Sequence, residues 1–190
     1  MNLKHIFIAL SLSASLISCD KDETPQATAS INVIHASPDA PGVDLLVDNV
    51  KVNTAALNFP EATGYLKVFA GTRNIKVNAT GTNNSVINAN LTFTADKYYS
   101  VYAYNQLASI GAFVVEDNLT VPATGQAHIR FFHLSPNAPA VTVGTLSGAT
   151  FTPVFANRSF ETQATASANQ NFTPVPAGTY TFDVQANGAS

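Results

Sequence analysis

The chain has 190 residues, of which 46% are apolar and only 11% are charged, and its formal net charge is −3. Soluble domains usually carry about 25% charged residues; here Thr, Ser and Asn take their place, which favours strand surfaces and turns over helix surfaces. The nine Lys and Arg residues are scattered, so the basic stripe that a nucleic-acid-binding surface needs is missing, and we expect no nucleic-acid partner.

The first eighteen residues have the pattern of a signal peptide. Lys4 and His5 make a positive start, and the apolar run at residues 6–16 is shorter than the roughly 20 residues that a membrane-spanning helix needs. The run ends in Leu16-Ile17-Ser18-Cys19, which resembles the bacterial lipobox. That resemblance implies cleavage before Cys19 and attachment of lipid to its sulfur. The alternative is an ordinary signal peptide with a chance cysteine near its end.

Cys19 is the only cysteine in the sequence. A lone thiol can form neither an internal disulfide nor, by itself, a zinc site. Two or more acyl chains give stable membrane anchoring where one gives marginal binding. We therefore predict that palmitate-type acyl chains on Cys19 make the membrane a partner of this protein.

A charged run follows the predicted anchor. Asp20-Lys21-Asp22-Glu23 is similar to the export signal of surface-exposed lipoproteins, in which a lysine and acidic residues follow the acylated cysteine, so Lys21, Asp22 and Glu23 are predicted to direct surface display. The alternative is a solvated spacer on a periplasm-facing anchor. Residues 19–30 as a whole are predicted to be the acylated cysteine and a disordered tether.

Two landmarks recur in the same order in the rest of the chain. Ile34–Val43 returns as Phe132–Val141 at an offset of 98, and Phe69–Val77 returns as Pro176–Val184 at an offset of 107. The order predicts a tandem duplication. The second copy holds nine more residues between the landmarks, and we expect them in the polar, small-residue-rich stretch 156–169.

Two hairpins are predicted in the first copy. Residues 43–52 would fold back at Asp48-Asn49, and residues 86–104 would fold back at residues 94–97. Other strands are indicated by alternating apolar and polar residues after the Ala-Gly-Thr turns, where glycine can adopt positive φ.

We therefore predict an all-β fold of two tandem antiparallel β-sandwich domains, at residues 31–122 and 123–190. The first copy has room for seven or eight strands. About forty residues follow Gly71 before that copy ends, but only twelve follow Gly178. The second sandwich is thus expected to be incomplete at its C-terminus, with an exposed apolar face and an open edge. We favour a truncated sequence; the alternative is that the last domain borrows strands from elsewhere.

The repeated His-x-Ser-Pro-x-Ala-Pro-x-Val motif, the Ala-Gly-Thr turns, Leu91–Val101 and Glu116–Thr120 resemble the domain of unknown function 4397 family. The resemblance covers residue 31 to the end. It implies an immunoglobulin-like or related β-sandwich in a bacterial envelope protein, and it implies no activity and no catalytic residues. The second copy departs from the first at Thr142, where the first has Asp44.

The repeated motif carries the candidate chemistry. Its residues are His35, Ser37, Pro38, Asp39 and Pro41 in the first copy and His133, Ser135, Pro136, Asn137 and Pro139 in the second. A His with a Ser two residues later could be a catalytic base or a metal ligand, but no acid accompanies both copies, because Asp44 is replaced by Thr142. We favour a structural role, in which the imidazole hydrogen-bonds a loop stiffened by proline and capped by Asp or Asn.

Other candidate sites are weaker. The acidic residues lack the dense spacing of a calcium loop, so no metal is predicted. Tyr98, Tyr102 and Tyr104 share one strand face and either pack in a core or offer a platform for a sugar or peptide. We predict no catalytic residue and no cofactor.

The sequence as a whole favours a lipid-anchored cell-envelope protein of non-catalytic, structural or adhesive display type. The alternative is a carbohydrate- or peptide-binding accessory lipoprotein. In both cases we expect an outer-membrane location, facing either the cell surface or the periplasm.

Overall fold

The structure is a computed structural model that describes residues 25–187. The predicted signal peptide, Cys19 and the run Lys21-Asp22-Glu23 lie outside the described residues. The described part contains thirteen strands, one short α-helix and one 3₁₀ turn, which confirms the all-β prediction. The elements are β1 (Thr28–Ala36), β2 (Val43–Val47), β3 (Val50–Lys51), β4 (Ala62–Phe69), β5 (Gly71–Ala79), β6 (Ser85–Phe93), β7 (Tyr98–Tyr104), the 3₁₀ turn (Leu107–Ser109), β8 (Gly111–Glu116), β9 (Gln126–Ile129), β10 (Val141–Ser147), β11 (Thr150–Arg158), α1 (Gln163–Ala168), β12 (Thr173–Pro176) and β13 (Thr181–Ala186).

The first repeat is a β-sandwich of two four-stranded sheets. One sheet has the order β4-β1-β7-β8 and the other has the order β3-β2-β5-β6. Alternate side chains of the longer strands point inward, and the core between the sheets includes Ile31, Leu45, Ile75, Phe93 and Tyr99. The predicted β-sandwich of seven or eight strands is therefore confirmed, with eight strands.

One predicted hairpin is confirmed and the other is wrong. β2 and β3 pair across Asp48 and Asn49, whose φ values of 49° and 67° are those of a type I′ turn. β6 and β7 lie in different sheets, so residues 94–97 cross from one sheet to the other instead of closing a hairpin. β7 pairs with β1 in parallel, so this sheet is mixed and not purely antiparallel.

The second repeat reproduces the strand register of the first. Val43 pairs with Ala79 in the first repeat, and Val141 pairs with Ala186 in the second, as offsets of 98 and 107 require. β9 and β12 likewise pair in the register of β1 and β4. The extra residues therefore leave the sheet geometry unchanged, and part of them form α1 within the stretch 156–169.

The second repeat lacks counterparts of β6, β7 and β8 in the part of the chain that the structure describes. Its five strands form a three-stranded sheet, β11-β10-β13, and a two-stranded sheet, β12-β9. Ile75, in the core of the first repeat, is 1% exposed, whereas its counterpart Phe182 is 43% exposed. The predicted exposed apolar face is present on β13.

A separate hydrophobic cluster lies between the two repeats. Phe113 and Val115 on the outer face of β8 pack with Ala166 of α1, and Tyr102 and Phe132 border the same cluster. The ring of Tyr102 stacks on Phe113 and meets the edge of Phe132, with ring centres 4.8 and 5.3 Å apart. The second repeat thus covers an outer face of the first sandwich.

Candidate functional site at the junction of the repeats

His35 and His133 lie at equivalent positions of the two repeats, and each closes its own loop. In the first His loop (His35–Pro41), the Nε2 of His35 lies 3.1 Å from the carbonyl oxygen of Pro41, and Nδ1 accepts the N–H of Ser37 at 3.4 Å. In the second His loop (His133–Pro139) the corresponding distances are 3.0 Å and 3.2 Å. Because Nδ1 accepts a hydrogen bond, the proton of a neutral ring resides on Nε2 and is donated to the proline carbonyl.

Both rings are buried, and both of their nitrogens are engaged. His35 is 1% exposed and His133 is 4% exposed. Asp44 does not orient His35; its carboxylate instead pairs with Lys51 Nζ at 2.7 Å and accepts the N–H of Gly81. The hydrogen bond from Lys51 is the main cause that lowers the pKa of Asp44.

The two His loops lie side by side. Ala36, Pro38 and Phe59 of the first repeat face Leu134 and Pro136 of the second across an apolar cleft of about 260 Å³. The loops are not identical in their outer contacts, because Asp39 accepts the N–H of Leu107 at 2.7 Å and so ties the first His loop to the 3₁₀ turn. The structure therefore brings the two copies of the predicted motif together.

A buried ion pair connects the repeats at the other end of the junction. Arg130 directly follows β9, and Asp117 directly follows β8. The Nη2 atom of Arg130 lies 2.7 Å from Oδ1 of Asp117. Asp117 Oδ2 accepts the hydroxyls of Tyr65 and Ser100 at 2.8 and 2.7 Å. Burial and the hydrogen bond to Asp117 hold the pKa of Tyr65 above its ordinary value.

The Arg130 guanidinium is also held between two aromatic rings. Its Cζ lies 4.9 Å from the ring centre of Phe132 and 4.6 Å from that of Phe172. Its Nη1 donates to the carbonyl of Gln170 at 3.0 Å. Hydrogen bonds and cation–π contacts together compensate for the loss of hydration of a buried guanidinium.

Two glutamines cover the edge of β8. The side-chain amide of Gln163 accepts the N–H of Val114 and donates to its carbonyl, both at 2.9 Å, as a neighbouring strand would do. Gln170 Oε1 accepts the N–H of Glu116 at 3.3 Å. The edge strand that ends the first sheet is thereby closed to further strand pairing.

A polar groove of about 580 Å³, here called the junction groove, lies beside the buried ion pair. Its lining residues are Lys97, Tyr98, Glu116, Asp117, Asn118, Leu119, Thr120, Gln170 and Asn171. Lys97 Nζ pairs with Glu116 Oε1 at 2.8 Å, and this hydrogen bond raises the pKa of Lys97. Tyr98 is 41% exposed and meets Tyr65 edge to face at 5.2 Å between ring centres.

The tyrosines of β7 therefore divide between two environments. Tyr102 and Tyr104 pack at the junction of the repeats, so they offer no free platform. Tyr98 lines the junction groove. Sequence reasoning singled out this strand face but missed Arg130, Gln163 and Gln170, because residues that act through contacts between repeats leave no periodic signal.

Two further features complete the description. Among residues 25–187, no group of three or more His, Cys, Asp and Glu side chains has an arrangement that could hold a metal ion. The same residues include no helix that is long and apolar enough to cross a membrane.

The first repeat is a β-sandwich, and the second repeats five of its strands in the same register. A buried histidine closes one loop in each repeat, and a buried ion pair joins them, which defines an all-β protein with an internal repeat. The chain belongs to the family described as Domain of unknown function (DUF4397), whose model matches residues 29–144. The match runs through the whole first repeat and continues past the second His loop into β10. No curated protein matches the chain.

Proposed function

We propose that the chain is a lipid-anchored protein of the cell envelope whose two repeats act as one rigid, non-catalytic display module of structural or adhesive type. The observation that carries this proposal is the junction. The second repeat buries part of the first sandwich through Phe132, Ala166 and Arg130. Such contacts suit a fixed spacer better than two independently moving domains.

The buried histidines support the non-catalytic part of the proposal. A catalytic base must have a nitrogen within reach of a substrate proton. Both ring nitrogens of His35 and of His133 are instead bonded to their own loops, and Ser37 is 0% exposed. Both imidazoles are thus committed to holding their loops.

Replacement of the predicted acylation site tests the anchor. In cells, Cys19→Ala is expected to abolish incorporation of labelled palmitate and to move the protein from the membrane fraction to the soluble fraction, because the acyl chains supply the membrane affinity. Thr24→Ala, which lies in the predicted tether after the charged run and leaves Cys19 in place, is the matched control. Continued membrane fractionation and labelling of Cys19→Ala would contradict the anchor.

Replacement of the charged run tests whether the protein is displayed on the cell surface or faces the periplasm. Replacing Lys21, Asp22 and Glu23 together by Ala is expected to make the protein resistant to protease added to intact cells, while lysed cells still show cleavage. Unchanged accessibility on intact cells would assign the run to a simple spacer.

The alternative role is that of a carbohydrate- or peptide-binding accessory lipoprotein. The junction groove favours it, since small-molecule sites are commonly clefts between domains with volumes of about 300–1,000 Å³. The closed edge of β8 favours a carbohydrate over an extended peptide, because Gln163 already occupies the backbone groups of Val114 that an added strand would use.

A further inference from the structure

We propose that the junction groove is a binding site for a neutral saccharide, an inference that rests on the alternative, carbohydrate-binding role and names its ligand class and site. The groove is formed by three separate segments: the start of β7, the residues that follow β8, and the connection between α1 and β12. Because the last segment belongs to the second repeat, the groove exists only when the two repeats are packed together.

The charges of the groove favour a neutral ligand. Lys97 is paired with Glu116, and Asp117 at the base of the groove is paired with Arg130. Lys97 is the cation among the residues that line the groove, and its pairing with Glu116 would compete with binding of a phosphate or a carboxylate.

The hydrogen-bonding groups of the groove match a ligand rich in hydroxyls. Among the described hydrogen bonds, the side-chain NH₂ groups of Asn118, Gln170 and Asn171 donate to no protein acceptor, and the Asn171 oxygen accepts none. An amide offers two donors and an acceptor, so it can serve two neighbouring hydroxyls of a sugar. Asn118 Oδ1 is meanwhile oriented by the N–H and hydroxyl of Thr120.

Tyr98 supplies the apolar surface that a pyranose ring also requires. Its ring is partly exposed at the groove and is held edge to face by Tyr65, whose hydroxyl donates to the buried Asp117. The position of Tyr98 is thus set before a ligand arrives, which lowers the ordering cost of binding. Aromatic surface together with a few placed polar groups is the usual composition of a small-molecule site.

A glycan array that carries neutral, sialylated and phosphorylated oligosaccharides, probed with the full chain, tests the proposal. We expect retention of neutral oligosaccharides, and calorimetry with the best-retained one then measures affinity. Tyr98→Ala and Asn171→Ala are each expected to weaken binding about tenfold, equivalent to about 1.4 kcal/mol. Tyr180→Ala removes a comparably exposed tyrosine of the second repeat and is the control, with binding within about twofold of the parent.

Each outcome decides the proposal. Retention of charged glycans alone, retention of none, or equal affinity of Tyr98→Ala, Asn171→Ala and the parent would overturn it. Asn171 is exposed and has no side-chain hydrogen bond among those described, so Asn171→Ala folds and keeps the test valid if Tyr98→Ala proves unstable. Failure here leaves the anchor untouched, because Cys19→Ala is judged by fractionation and labelling and not by binding.

Discussion

Arg130 of the second repeat donates to Asp117 of the first at 2.7 Å, and their side chains are only 7% and 1% exposed. Desolvation of two charges costs several kcal/mol per ion, and a buried pair recovers this only when further hydrogen bonds satisfy both partners. Tyr65, Ser100 and the Gln170 carbonyl provide those bonds. Any arrangement of the repeats that leaves Arg130 or Asp117 buried without its partner is therefore higher in free energy.

Removing the cation of this pair should be costly. Arg130→Met leaves the Asp117 carboxylate buried without its cation, and we expect the free energy of unfolding to fall by roughly 3–5 kcal/mol. Arg130→Met combined with Asp117→Asn should cost less than Arg130→Met alone, since no unpaired charge remains. Urea unfolding of the single and double variants measures both effects.

The exposed pair between Lys97 and Glu116 is the matched control. Its side chains are 51% and 44% exposed, so Lys97→Met should lower the free energy of unfolding far less than Arg130→Met does. Equal costs for Lys97→Met and Arg130→Met would show that the junction pair is no more important than a surface pair.

Loss of either loop-closing imidazole should destabilise the fold. His35→Ala strands the Ser37 N–H and the Pro41 carbonyl, which costs roughly 1–3 kcal/mol for buried groups and lowers the melting temperature by several degrees. His133→Ala should act in the same way. His128→Ala, which removes a half-buried histidine with no described side-chain hydrogen bond, should have a smaller effect. A variant of His35 or His133 that melts like the parent but loses a bound metal or ligand would instead make these residues functional.

The amide of Gln163 should protect the edge of β8. In Gln163→Ala the N–H of Val114 loses its acceptor, so hydrogen exchange at that amide is expected to become faster. Gln163→Glu keeps an acceptor for this N–H but cannot donate to the carbonyl, and it should exchange at an intermediate rate. Unchanged exchange in both variants would mean that the side chain does not close the edge.

Equivalent positions of the two repeats should differ in their sensitivity to truncation. Ile75→Ala opens a cavity in the closed core and should cost roughly 2–5 kcal/mol. Phe182→Ala removes a larger side chain but should cost less, because that side chain is 43% exposed. Thermal unfolding of the two variants under one condition makes the comparison, and a greater loss for Phe182→Ala would show that its face is covered in solution.

Local features of this protein were predictable from the sequence because short-range chemistry decides them. The Asp48-Asn49 turn is predicted from the apolar runs that flank it, and other strands are predicted from alternation. The repeat offsets of 98 and 107 even specify which residues pair in the second copy, since a shift of one residue would turn each apolar side chain outward.

Tertiary structure alone decided which strands become neighbours and how the repeats meet. Alternation in β6 and β7 is the same whether they form a hairpin or enter opposite sheets, so the sequence pattern could not show that β7 pairs in parallel with β1. Arg130 and Asp117 are likewise ordinary polar residues in the sequence. Their role arises because packing of Phe132 and Ala166 on the first sandwich brings them together and removes water from both.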